Sequence, residues 1–111
     1  MMDNDEIRAC LIARREELET LRARSAESRA AVTLDQQSVG RLSRMDAMQA
    51  QAMAQASERM RAAEIARIGS ALARLEDGTF GDCLRCGEPI AEKRLEADPS
   101  VTLCADCARQ T

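Results

Sequence analysis

Apolar residues in the first third of the chain recur at intervals of four and three: Ile7, Leu11, Leu18, Leu21 and Val32, with Arg14, Ser25 and Ser28 on the remaining sites of the stripe. That spacing predicts an amphipathic, heptad-like helix over 5–32 with an imperfect seam. Asp3 and Glu6 suit its amino-terminal cap, and the Glu/Arg-rich outer faces read as solvated surface with pairs such as Arg15 with Glu19. The pattern breaks over 31–38, where Thr33-Leu34-Asp35-Gln36 reads as a capping box opening a second helix. From about Leu34 to Asp77 there is no proline, and a seam runs through Leu42, Met45, Ala52, Ile65, Ile68, Leu72 and Leu75, its phase drifting near 54–61. Gly78 supplies a helix stop.

The two helices would extend about 40 Å and about 60 Å at about 1.5 Å per residue. Joined by a short connection, they most simply fold back as an antiparallel hairpin with its tip near 31–38, although heptads by themselves also permit a parallel dimer. The predicted fold is mainly α: a long antiparallel helical hairpin (coiled coil) over 1–77 and a small four-cysteine zinc finger over 78–111, in a monomer.

Composition changes the picture in one respect. Phe80 is the single aromatic among 111 residues, so an ordinary core lacks its bulky fillers and stability must come from elsewhere. The net charge is −3, with no basic block in any third of the chain, which disfavours direct binding of nucleic acid. The amino-terminal residues resemble no signal peptide, no apolar run is long enough to span a membrane, and the expectation is a cytoplasmic protein in a reducing compartment. The absence of histidine removes Ser-His-Asp and Cys-His catalysis. No open metal position or phosphate-cradling loop suggests an enzyme.

Four of the five cysteines form Cys83-Leu84-Arg85-Cys86, 17 intervening residues, and Cys104-Ala105-Asp106-Cys107. Each pair can place two thiolates on one side of a tight turn, and two such knuckles complete a tetrahedral shell for one structural zinc. Gly87 suits the turn after the first pair. Four sulfur ligands leave no open coordination position, so this zinc would fold its module and catalyse nothing. A disulfide-exchange role lacks the βαβ setting it usually needs. Ile90, Leu95, Val101, Leu103 and Phe80 read as packing around the metal, Pro89 and Pro99 as turns, and Cys10 as a small half-buried apolar residue.

The run from Phe80-Gly81-Asp82-Cys83 through Cys86-Gly87-Glu88-Pro89-Ile90 and Arg94-Leu95-Glu96-Ala97-Asp98-Pro99 to Cys107 closely resembles the DksA/TraR-type zinc finger, and residues 34–46 resemble the short DksA-like members of that family. The resemblance implies a bacterial or phage transcription regulator that binds RNA polymerase, inserting its coiled-coil tip into the secondary channel. At that tip Asp35 matches the family's first acid, whereas Ser38 stands in place of the second and Gly40 in place of an alanine; Gln36 lies between the two acid positions. The altered tip also admits a different role, that of a zinc-stabilised interaction adaptor without direct control of polymerase. The positions at which some members bind guanosine tetraphosphate are Asp98 and Ala108 here, so the resemblance does not carry that alarmone over. Arg85, Lys93, Arg94 and Arg109 are the basic residues left on the finger, available to a polymerase surface or simply solvated. Zinc on four thiolates adds about two negative charges, which favours a protein partner over DNA.

Overall fold

A computed structural model describes residues 3–36 and 41–110, with side-chain surroundings for 3–26 and 44–110. Among the described residues four helices follow in order: α1, Asn4–Gln36; α2, Arg41–Asp77; α3, Glu92–Ala97; and α4, Ala105–Arg109. The two long helices pack antiparallel as a hairpin, and the short ones belong to the four-cysteine module at the carboxy-terminal end. The chain divides into two compact units, Met1–Arg15 with Glu64–Thr111, and Glu16–Ala63.

In the first unit the start of α1 is capped as its sequence predicts, the Glu6 amide donating to Asp3 Oδ1 at 2.8 Å. Arg8 reaches Glu76 at 3.3 Å, and Arg14 makes a two-pronged pair with Glu64 at 2.8 and 3.1 Å. The partner's number falls as the arginine's rises, as antiparallel helices require. Leu11, Ile68, Ala71 and Leu75 are buried in this unit. Gly78 ends α2 with φ +82°, a left-handed conformation that suits glycine, and the Thr79 and Phe80 amides both donate to the Arg74 carbonyl at 3.0 and 3.2 Å. The Asp77 carboxylate accepts from the amide and hydroxyl of Thr79, which holds its pKa below the ordinary aspartate value.

In the second unit Leu18 is buried, and Arg22 forms a close pair with Glu58, which also lies 3.6 Å from Arg61. Here the α2 seam departs from the sequence reading. Met45 is 69% exposed, and Ala52 is exposed as well. The partly buried stripe is instead Ala47, Ala54, Glu58, Arg61 and Ala62. The apparent drift near 54–61 is thus one continuous face on which alanines and an ion pair, rather than methionines, turn inward. Hydrophobicity favoured the methionines, but long flexible side chains tolerate water, and close helix approach selects small residues.

Two further expectations change. Thr33–Gln36 lies inside the last turn of α1 and does not open α2, which begins at Arg41. Ala26, Ala30 and Ala31 keep helix propensity high with no glycine or proline to stop it, and a Thr-x-x-Gln spacing is equally compatible with a helix interior. Leu21, assigned to the seam, is 37% exposed, while Arg22 beside it pairs with Glu58. The side chains of Ser28, Val32 and Leu42 lie outside the described residues.

Candidate metal centre

The finger begins where α2 ends. Its first knuckle is a turn at 84–86 held by two backbone bonds, Cys83 N to the Glu88 carbonyl at 2.8 Å and Gly87 N to the Cys83 carbonyl at 2.9 Å. The return requires φ +79° at Gly87, which explains the glycine directly after the second cysteine. An isolated antiparallel bridge joins Asp82 to Pro89, and Ile90 N donates to the Gly81 carbonyl. The second knuckle is built into the first turn of α4. Cys104 is its N-cap, and Cys104 Sγ accepts from the Cys107 amide at 3.4 Å.

These turns bring all four sulfurs, those of Cys83, Cys86, Cys104 and Cys107, within 4.8 Å of one another. Cys86 Sγ and Cys104 Sγ, from different knuckles, lie 3.8 Å apart. Four thiolates about 2.3 Å from one ion at tetrahedral angles have sulfurs about 3.8 Å apart, so the donor set and its spacing fit one structural zinc. No disulfide competes, since all five cysteines are free.

The thiols are differentiated. Backbone amides of Cys86 and then Cys104 pull Cys83 down to about 6. Cys107 is pushed up to about 12, first by hydrogen bonding with Cys104 and then by burial. Crowded sulfurs cannot all ionise without a cation among them, and a divalent ion removes that obstacle. Around them Cys83, Ile90 and Cys107 form a small buried core with Leu95, Val101, Leu103 and Cys104 packed against it. This is the packing predicted for Ile90, Leu95, Val101 and Leu103. Phe80 is half-buried outside it.

Three further contacts tie the first knuckle and α3 to the second knuckle and the residues leading into it. Leu84 N donates to the Thr102 carbonyl at 2.9 Å, Arg94 Nε to the Leu103 carbonyl at 3.0 Å, and Arg85 reaches the Cys107 carbonyl at 3.5 Å. Sequence reading treated both arginines only as solvated or partner-facing cations. Asp98, in the position of a family basic residue, accepts from the amide and hydroxyl of buried Ser100 and so shapes the Pro99 turn. Cys10 is exposed rather than half-buried. Asp35 and Gln36 are the last residues of α1, with their side chains outside the described set, and Ser38 lies outside the described residues altogether.

A helical hairpin ending in a closed four-thiolate centre defines a class of zinc-finger protein. Residues 78–110 match the prokaryotic dksA/traR C4-type zinc finger. Among its relatives is the RNA polymerase-binding transcription factor DksA of Caulobacter vibrioides, 51% identical over 39 residues, which are 35% of this chain and 28% of that protein. The protein of the same name from Escherichia coli K12 is 46% identical over 43 residues, 39% of this chain and 28% of the relative. The matched stretches thus span less than a third of these relatives. Among solved structures, transcription factor DksA2 from Pseudomonas aeruginosa is similar over 96% of this chain and 81% of its own, with a TM-score of 0.70 and 26% identity.

Proposed function

We propose that the protein is a non-enzymatic, cytoplasmic transcription regulator that binds RNA polymerase and acts by inserting its hairpin tip into the secondary channel. The observation that carries this reading is the union, in one chain, of a DksA/TraR-type finger with an antiparallel hairpin similar to DksA2 over nearly its whole length. Cys83, Cys86, Cys104 and Cys107 serve as zinc ligands and hold the finger in shape. The charge balance supports a protein partner, since nothing in the sequence concentrates enough positive charge to hold a nucleic-acid backbone. At the tip, Asp35 closes α1 and is the carboxylate through which the protein acts, with Gln36 and Ser38 beside it in sequence.

Competition with a known secondary-channel factor for purified polymerase tests the reading. Displacement at stoichiometric occupancy, with altered output from at least one promoter in purified transcription, is the expected result. An Asp35→Asn variant should keep binding and lose the effect on output. Binding without competition and without any change in output points instead to an adaptor.

A further inference from the structure

We propose that Arg94 is the positioning residue of the metal centre, setting how long zinc is retained by fixing the peptide that precedes Cys104. The two cysteine pairs are separated by 17 residues, so the second knuckle needs long-range contacts to stay opposite the first. Two successive carbonyls supply them. Thr102 is held by the Leu84 amide of the first knuckle, and Leu103 by the Arg94 guanidinium of α3.

The Leu103 carbonyl belongs to the peptide bonded to Cys104, so a donor on that oxygen fixes the plane from which Cys104 departs, at φ −68° and ψ 165°. Cys104 Sγ in turn meets Cys86 Sγ across the site and accepts from Cys107 N. One side-chain bond therefore governs both the inter-knuckle sulfur contact and the cap of α4. Arg94 is itself held in place. It is half-buried, its amide donates to Ala91, and its neighbour Leu95 packs α3 against the core of Cys83, Ile90 and Cys107. Arg85 makes the comparable contact at 3.5 Å from an exposed position, with far less to fix it. Partners that orient metal ligands through hydrogen bonds commonly change metal affinity about 10- to 100-fold.

The test is zinc release from the full chain to a chromophoric chelator. Arg94→Gln should release zinc about tenfold faster. Arg94→Lys, which keeps a cation on a more flexible stem, should fall between that variant and the wild type, and Arg85→Gln should remain near wild type. Wild-type kinetics in Arg94→Gln, or equal acceleration by Arg85→Gln, overturns the proposal. Should Arg94→Gln fail to fold, the zinc-loaded wild type decides by NMR: a slowly exchanging Arg94 Nε–H supports the bond, and one that exchanges like a free guanidinium refutes it.

Discussion

At the residue scale, single donors decide what a side chain does. Asp77 is exposed, yet two bonds from Thr79 stabilise its ionised form. A folded-state pKa below the unfolded value adds stability at pH above the ordinary carboxylate range, and that contribution is lost as the pH falls through the lowered folded value. Thr79→Ala removes the hydroxyl donor and should move the Asp77 titration upward toward the ordinary value, measured by NMR; an unchanged midpoint contradicts the assignment. Two of the cysteines follow the opposite logic in the metal-free chain. Cys107, held up to about 12, and Cys86, also raised, keep their protons at neutral pH, so zinc uptake must expel both. Calorimetric titration in buffers of different ionisation enthalpy should register that proton release, and apparent zinc affinity should weaken as the pH is lowered. The spacing of the cysteines was enough to find this centre, because each pair closes a turn within four residues. The value of each thiol was not legible, since it depends on amides and sulfurs brought from the other knuckle.

At the element scale, the seam of α2 is the most informative disagreement. Ile68 has no exposed surface, and Ile68→Ala should cost about 2–5 kcal/mol in denaturant unfolding. Met53, at 71% exposure, should tolerate Gln within about 0.5 kcal/mol. Glu58 lies on the inward stripe, and its Oε2 and the Arg61 terminal nitrogen are both buried without a hydrogen bond, 3.6 Å apart. Glu58→Ala would strand Arg61 and free Arg22, a change of about 1–3 kcal/mol. If Met53→Gln proves costlier than Glu58→Ala, the inward stripe has been placed on the wrong face. Helix type and approximate extent were readable because propensity and caps act within a turn, as the Asp3 cap and the Gly78 stop illustrate. Register was not, since alanine and methionine differ less in hydrophobicity than in the space they leave for a facing helix.

At the scale of the whole molecule, zinc and the hairpin divide the task of ordering a chain with one aromatic residue. The finger's helices α3 and α4 contain six and five residues, against 33 and 37 in α1 and α2. Removing zinc with a strong chelator should therefore leave most far-ultraviolet helical signal in place while dispersing the finger's NMR resonances. Replacing any one of the four cysteines by serine should do the same. Collapse of the helical signal along with the finger would mean instead that the hairpin depends on the metal.

The sequence by itself determined the local features: two long helices, the start and stop signals of Asp3 and Gly78, and a C-x2-C-x17-C-x2-C pattern whose chemistry admits a closed zinc shell. Each depends on residues no more than a turn apart or on the ligand preferences of one ion. Only the tertiary structure decided which face of α2 turns inward, that Arg8, Arg14 and Arg22 pair across the hairpin with Glu76, Glu64 and Glu58, and that Arg94 holds the carbonyl beside Cys104. Those choices join residues from 9 to 68 positions apart, and along the chain nothing distinguishes an arginine that will find such a partner from one that stays in water.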